Sequence, residues 1–259
     1  MQDLIQVNKF AKLADGKKIV FCKTDYLASA FKFISTLDNE VVLISGNSDY
    51  HIDDAIVENA PANIKKWFCH NCLSKKEKMI PLPMGIENHE HCVVEGHGLG
   101  HLHAVEKEKI LSSTPTGEAK ELLYANFSLH TNAPLRTRIK DMCLKSGHID
   151  WDDPTLPYSE FVSRAINHQG IICPLGNGFG DNHRIYETLY LNRTPFVFYK
   201  AMYEMLHHKM PIVFVEEEKD IMDEGWVKAQ IDRVKSEPWD KNIITYEYWE
   251  KRILEESLK

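Results

Sequence analysis

The chain has 259 residues, of which 43% are hydrophobic and 27% are charged, and its formal net charge is −7. This composition is ordinary for a globular protein with one large or two small cores, and the negative charge argues against binding to nucleic acid. No apolar run is long enough to predict a transmembrane segment, and the N-terminal residues lack the apolar core of a signal peptide. We therefore predict a cytoplasmic protein.

The first part of the chain alternates short β-branched runs with an amphipathic stretch. Its predicted strands lie at residues 17–23, 40–45, 64–69 and 78–83. A helix is predicted between the first two of them, at 25–37. Strands that alternate with helices favour a parallel sheet, so residues 1–85 are interpreted as a small Rossmann-like half. Residues 86–120 break this rhythm and are interpreted as a connecting segment with a helix near 103–111.

A second α/β set is predicted over residues 121–259. Its predicted strands lie at 121–129, 170–173, 194–199 and 210–217, and its predicted helices lie at 137–147, at 158–169 and over most of the tail. Two such sets predict two sheets with a cleft between them. Because open parallel sheets bind ligands beyond the carboxyl ends of their strands, we expect the loops after residues 23, 45, 69, 129 and 173 to face a ligand.

A glycine-rich turn follows the predicted strand that ends at Cys173. Glycines allow a ligand to approach the backbone without a Cβ in the way. Asp181 or Asn182 can cap a helix that begins near His183, whose unpaired N–H groups suit a phosphate. We define the predicted donor cradle as residues 176–183. Its candidate binding residues are Gly176, Asn177, Gly178, Gly180, Asp181 and His183.

Two charged residues follow in the first turns of that helix. Arg184 can bind phosphate oxygens through its guanidinium, and a cation at a helix N-terminus favours an anionic partner. Glu187 lies three residues further on the same face, where its carboxylate can accept hydrogen bonds from ribose hydroxyls. The alternative is an ordinary strand–turn–helix with a solvated Arg–Glu pair. Together the glycines, the cap and the two charges favour a phosphate site.

Residues 161–197 resemble the signature of exostosin-like glycosyltransferases. The matching residues are Pro174, Gly176, Gly178, His183, Arg184, Glu187, Leu189, Pro195 and Val197. The chain departs from the family pattern at Cys173, where serine is common, and at Asn192, where a glycine usually follows the leucine. Residues 64–88 resemble an earlier segment of the same family, so the strong likeness covers roughly 37 and 25 residues.

The resemblance implies the GT-B fold, an α/β architecture of two small Rossmann-like halves with a cleft between them. It implies a hexosyl- or pentosyltransferase that moves a sugar from a nucleoside diphosphate sugar to a hydroxyl of a glycan or glycoconjugate. It further implies an inverting reaction with no cofactor and no essential metal. The donor would lie mostly on the second half and the acceptor mostly on the first. Arg136 and Arg138 are further candidates for the donor phosphate, with solvated helix charges as the alternative.

Sugar transfer needs a base that accepts the proton of the attacking hydroxyl. We expect this base at the carboxyl end of a strand in the first half. Asp49 ranks first, because the sequence from Gly46 to Ser48 brings it directly out of a predicted strand. His51 ranks second and Asp25 third. Aspartate is also common in turns and caps, so a structural role is the alternative.

A competing pattern of cysteines and histidines lies within residues 69–103. Cys69 and Cys72 are followed by the sequence HEHC at 89–92 and by HGLGHLH at 97–103, so a later His/Cys pair could complete a tetrahedral zinc arrangement. The alternative is a strand end followed by a polar connection rich in histidine, and the resemblance implies no metal there. Two rival functions stay open at this stage. One is a non-catalytic nucleotide-sugar-binding module, and the other is a hydrolase braced by zinc.

Overall fold

Two parallel β-sheets form the frame of the protein. The computed structural model describes residues 3–89, 104–113, 117–178 and 180–259. The strands are β1 Ile19–Lys23, β2 Val41–Gly46, β3 Ile64–Cys69, β4 Met79–Pro81, β5 Glu121–Ala125, β6 Ile149–Trp151, β7 His168–Cys173, β8 Thr194–Val197 and β9 Val213–Phe214. The α-helices of the described residues are α1 Leu27–Ile34, α2 Asp54–Glu58, α3 Ala104–Ser113, α4 Ala133–Lys145, α5 Tyr158–Ala165, α6 His183–Tyr190, α7 Lys200–Met205, α8 Glu224–Ser236 and α9 Tyr246–Leu258. The predicted α/β class is confirmed.

The first sheet has the strand order β1-β2-β3-β4, and every neighbouring pair is parallel. All six residues of β2 are buried, which explains why its sequence is a continuous apolar run rather than an alternating one. The ends of β1 and β2 coincide, because Lys23 pairs with Gly46. The loops after these two strands therefore leave the sheet at the same edge.

The second sheet has the order β6-β5-β7-β8-β9 and is also parallel throughout. If β5 to β9 are numbered 1 to 5, this is the doubly wound order 2-1-3-4-5. The strands are added on one side of β5 first and on its other side from β7 onward, so the switch point lies between β5 and β7. Ligands of such sheets bind in the crevice outside the carboxyl ends of the two strands at this switch point. The glycine-rich turn follows β7, so this topology places it at the edge of the crevice.

One of the three hydrophobic clusters of the described residues spans both sheets, and each of the other two belongs to one sheet. One continuous cluster contains Phe10, Ile44 and Phe68 from the first half and Tyr124, Ile171 and Tyr186 from the second. The sequence order assigns the C-terminal helix to the second half, but α9 packs on β2 and on the 3-10 helix Val7–Leu13. Phe10 and Tyr246 stack with their ring centroids 4.9 Å apart. The last helix thus returns to the first half.

Most predicted elements match the structure within a few residues, and the differences lie in short or terminal elements. The helix predicted at 158–169 ends at Ala165, because β7 already begins at His168. Strand β6 and helices α2 and α7 were not predicted, since elements of three, five and six residues are too short to show a periodic pattern. Among the described residues, no helix combines the length and the apolarity that a bilayer crossing requires.

Candidate functional site

A cleft of about 660 Å³ lies between the carboxyl edges of the two sheets. Its lining from the first half comprises Val7, Lys23, Asp25, Asn47, Ser48, Asp49, Tyr50, Met84 and Asn88. Its lining from the second half comprises Thr131, Arg136, Gly176, Asn177, Gly178, Asp181, Asn182 and His183. The loops that follow β1, β2, β5 and β7 thus meet around one cavity, as parallel sheet geometry predicts.

The glycines of the turn after β7 have two different roles. A Cβ on Gly178 would lie 3.7 Å from Asp49 Oδ1, so this glycine faces the first half across the cleft. Gly180 has a φ of 121°, and a Cβ there would lie 2.2 Å from the ring of Tyr199. Gly176 and Gly178 therefore line the cleft, whereas Gly180 closes the turn against the protein.

Helix α6 directs its N-terminus toward the cleft. Its N-cap residue, Asn182, makes no capping hydrogen bond with its side chain. The Oδ1 atom of Asn182 is buried and has no hydrogen-bond partner among the described residues. His183, the first helical residue, lines the cleft, and its Nδ1 lies 2.8 Å from the carbonyl oxygen of Gly85. The uncapped amides and the helix dipole make this end suitable for an anion.

Arg136, in the first turn of α4, places a cation beside the glycine-rich turn. Its guanidinium donates to the carbonyl oxygens of Ser128, Pro174 and Leu175 at 2.7, 3.3 and 2.9 Å. Burial, and to a smaller extent the charge of Arg184, lower the pKa of Arg136 to about 10. No carboxylate of the described residues forms an ion pair with it. The cleft thus holds a guanidinium whose partners are all neutral.

Arg184 and Glu187 lie outside the lining of the cleft. Arg184 Nη1 is 3.1 Å from Glu187 Oε2, and its guanidinium stacks on Phe161 at 3.8 Å from the ring centroid. Glu187 is 1% exposed, and its other oxygen accepts a hydrogen bond of 2.8 Å from Lys107. Lys107 belongs to α3, so the connecting segment supplies the cation that neutralises Glu187. The predicted role of Glu187 in binding ribose stays a prediction.

Asp181 ties the two halves together beneath the cleft. Its Oδ2 accepts hydrogen bonds from the amide of Met84 and from the hydroxyl of Tyr186, at 2.9 and 3.0 Å. Its Oδ1 is 3.1 Å from His207 Nε2, and His70 Nε2 lies 3.9 Å from Oδ2. Burial alone raises the pKa of Asp181, but the hydrogen bond from His207 and the neighbouring charges lower it below its ordinary value. This carboxylate is saturated by protein groups.

The three candidate bases occupy different environments. Asp49 lines the cleft opposite Gly178. Asp25 also lines it and lies 3.7 Å from the ammonium of Lys23. His51 is absent from the lining and lies 3.6 Å from Asp53. Asp49 is thus the candidate base with a contact to the glycine-rich turn, through Gly178.

Three asparagines that follow strands β2, β3 and β5 have left-handed backbone, a feature that was not predicted. Asn47, Asn71 and Asn132 have φ values of 52°, 52° and 45°. Asparagine tolerates this conformation better than other residues with a Cβ, and such backbone is concentrated at functional sites. Asn71 lies beside Gly178, and its buried Oδ1 has no hydrogen-bond partner among the described residues. Asparagine just after a predicted strand was the available clue.

Arg138 points away from the cleft. It is 54% exposed and lies 2.7 Å from Glu218 in a surface ion pair. Although Arg136 and Arg138 are only two positions apart on α4, they lie on different faces of the helix, and of the two Arg136 alone lines the cleft.

The described part of the cysteine and histidine pattern contains no group of three or more side chains that could hold a metal ion. Cys69 and Cys72 are both buried. Burial and the neighbouring Cys72 raise the pKa of the Cys69 thiol well above its ordinary value. The remaining residues of the pattern, from His91 to His103, lie outside the described residues, so the zinc prediction stays untested.

Comparisons with known proteins give no family assignment. A scan against protein-family models finds no match, and a search of curated proteins finds none either. The structural evidence on function is therefore the cleft itself: two parallel sheets of an α/β, Rossmann-like fold that present their carboxyl edges to one polar cavity.

Proposed function

We propose that the protein is a glycosyltransferase of GT-B type that transfers a sugar from a nucleoside diphosphate donor to a glycan or glycoconjugate hydroxyl. The observation that carries the proposal is the pairing of Arg136 and the α6 N-terminus on one wall of the cleft with Asp49 on the other. The first wall suits a diphosphate, and the second supplies a carboxylate that can take a proton. The resemblance of residues 161–197 and 64–88 to exostosin-like glycosyltransferases supports the same function.

In this proposal Arg136, rather than Arg184, is the principal phosphate ligand. Arg136 has only carbonyl partners, whereas the guanidinium of Arg184 is paired with Glu187. A diphosphate at Gly176 and Gly178 would accept hydrogen bonds from the turn and from the first amides of α6. As the sugar–phosphate bond breaks, Arg136 would stabilise the negative charge that grows on the leaving diphosphate.

Asp49 is the proposed base. Its carboxylate lies beside Gly178, so an acceptor hydroxyl bound to Asp49 would lie next to a donor at the glycine-rich turn. Attack by this hydroxyl forms the new glycosidic bond, breaks the bond to the diphosphate and releases a proton to Asp49. Holding both substrates in one cavity supplies the orientation that this displacement requires.

The test compares three variants of the full chain for nucleotide binding. Thermal shift with UDP, GDP, ADP and CDP should reveal at least one ligand that raises the melting temperature. Arg136→Gln keeps a hydrogen-bond donor for the carbonyls but removes the charge, and should weaken that binding by about tenfold to a hundredfold. Arg138→Gln is the matched control on the same helix and should leave the binding unchanged.

Asp49→Asn tests the chemical step separately. This variant should bind the nucleotide as the wild type does, but it should lose hydrolysis or transfer of the matching nucleotide sugar. Stabilisation by none of the four nucleotides would contradict the proposal. Binding without any turnover in the wild type would instead favour the non-catalytic module.

A further inference from the structure

Two exposed tyrosines lie in the loops that follow β1 and β2. Tyr26 and Tyr50 expose 64% and 65% of their surface, more than any other aromatic residue in the described part of the chain. Tyr26 ends the short 3-10 helix that follows β1, and Tyr50 lies in the loop that follows β2. Because the ends of β1 and β2 pair in register, these loops leave the same edge of the sheet. Tyr50 is itself part of the cleft lining.

The chemistry around the tyrosines is that of a carbohydrate subsite. An exposed aromatic ring presents an electron-rich face on which the C–H groups of a pyranose ring can pack, and tyrosine loses little conformational entropy on binding. Sugar hydroxyls also need polar partners at the edge of the ring. Asp25, Ser48 and Asp49 supply hydroxyl and carboxylate groups in the same stretch of the lining.

The charge of this edge favours a neutral ligand. Four carboxylates follow the two strands, those of Asp25, Asp49, Asp53 and Asp54. The basic groups of the same two loops are Lys23, which lies beside Asp25, and His51, which lies beside Asp53, whereas Arg136 belongs to the opposite wall of the cleft. An acidic sugar would meet a net negative field here, and like charges at an interface are unfavourable.

We infer that Tyr26 and Tyr50 form a stacking platform for a neutral glycan, which delivers a hydroxyl to Asp49. The two rings contact sugar units of one chain, and the carboxylates between them bind its hydroxyls. This inference rests on the proposed function only in naming the glycan as the acceptor, because glycan binding itself needs no donor.

The experiment measures glycan binding by the full chain, without nucleotide, by isothermal titration calorimetry. The probes are cellohexaose, maltohexaose, xylohexaose and chitohexaose, with hexagalacturonate as the acidic comparison. At least one neutral probe should bind more tightly than hexagalacturonate. Tyr26→Ala and Tyr50→Ala should each weaken that binding by up to about tenfold, whereas the Phe substitutions at both positions should retain it.

Phe33→Ala is the matched control, because Phe33 is an exposed aromatic residue of the same half that lies near the end of α1 and not in a loop that follows β1 or β2. The inference is overturned if no neutral probe binds, if hexagalacturonate binds best, or if both tyrosine-to-alanine variants bind as the wild type does. These results are separable from the nucleotide test. Nucleotide binding without glycan binding would contradict the tyrosine platform but not the proposed transferase. Glycan binding without nucleotide binding would contradict the transferase but not the platform.

Discussion

Lys107 holds a buried positive charge between two buried carboxylates. Its ammonium donates to Glu87 and to Glu187, and all three side chains are at least 90% buried. Although burial raises the pKa of Glu87, the ammonium of Lys107 lowers it to about 2. Burial likewise lowers the pKa of Lys107, but the two carboxylates raise it above its ordinary value. The fold therefore depends on this cation, since an unpaired buried charge is strongly destabilising.

Replacing Lys107 by methionine should lower the free energy of unfolding by about 3–5 kcal/mol at pH 7. The loss should be smaller at pH 5, because the buried carboxyls of the variant can then take up protons. In the wild type the folded pKa of Glu87 lies below its ordinary value of 4.5. Its contribution is thus complete above about pH 4.5 and is lost as the pH falls toward 2. Urea unfolding of the variant at pH 5 and pH 7 measures the first effect, and urea unfolding of the wild type between pH 4.5 and pH 2 measures the second.

Lys109→Met is the matched control, because Lys109 lies on the same helix with its side chain exposed. It should change the free energy of unfolding by less than about 0.5 kcal/mol. Equal losses for Lys107→Met at pH 5 and pH 7 would show that lost packing, rather than the unpaired carboxylates, causes the destabilisation.

At the scale of single elements, the end of α6 explains how asparagine replaces glycine at residue 192. The amide of Asn192 donates to Leu189, and the amide of Arg193 donates to Thr188, at 2.9 and 3.0 Å. This pair of hydrogen bonds is a Schellman motif, which requires a left-handed residue at the position of Asn192. Its φ is 55°. Asparagine is the usual second choice there, so the departure from the family pattern leaves the helix end intact.

We expect Asn192→Ala to lower the free energy of unfolding by about 1 kcal/mol, because alanine resists the left-handed conformation. Asn192→Gly should be neutral or slightly stabilising, since glycine adopts this conformation freely. Thermal unfolding of the two variants side by side checks the prediction. If both variants lose the same amount, the side chain of Asn192, and not its backbone conformation, stabilises the helix end.

At the scale of the whole molecule, the shared core joins the two sheets into one cooperative unit. Separate halves usually move as independent bodies unless a large apolar interface joins them. Here one cluster contains core residues of both sheets, and α9 seals it with Trp249, which is 2% exposed. Asp181 adds buried polar contacts to Met84 of the first half. We therefore expect the halves to unfold together.

Trp249→Ala should lower the free energy of unfolding by about 3–5 kcal/mol, and hydrogen-exchange protection should fall equally in both sheets. Native-state hydrogen exchange can measure the protection of the backbone amides of Leu43 in β2 and Ile172 in β7, two residues that are fully buried. Leu258→Ala is the control on the same helix, because Leu258 is 78% exposed and should have little effect. A drop in protection confined to Leu43 would show that the first half unfolds by itself.

The sequence by itself determined the α/β class, the position of most strands and helices, and the glycine-rich turn at the end of β7. These features depend on local patterns, because apolar periodicity and the special backbone freedom of glycine are visible in neighbouring residues. The predicted strand at 64–69 matches β3 residue by residue for the same reason. The sequence also predicted that Asp49 emerges at the carboxyl end of a buried strand, and it lies three residues after β2 and lines the cleft. Its role as a base stays a prediction.

Only the tertiary structure decided which charged residues face the cleft. The sequence favoured Arg184 over Arg136 and Arg138, but the folded partners of each decide otherwise. Arg136 meets only carbonyl oxygens, Arg138 pairs with the distant Glu218, and Arg184 is held by Glu187 on its own helix. Lys107 reaches Glu187 across 80 residues of sequence. The free energy of a charge depends on burial and on partners brought together by the fold, and no local pattern encodes either of them.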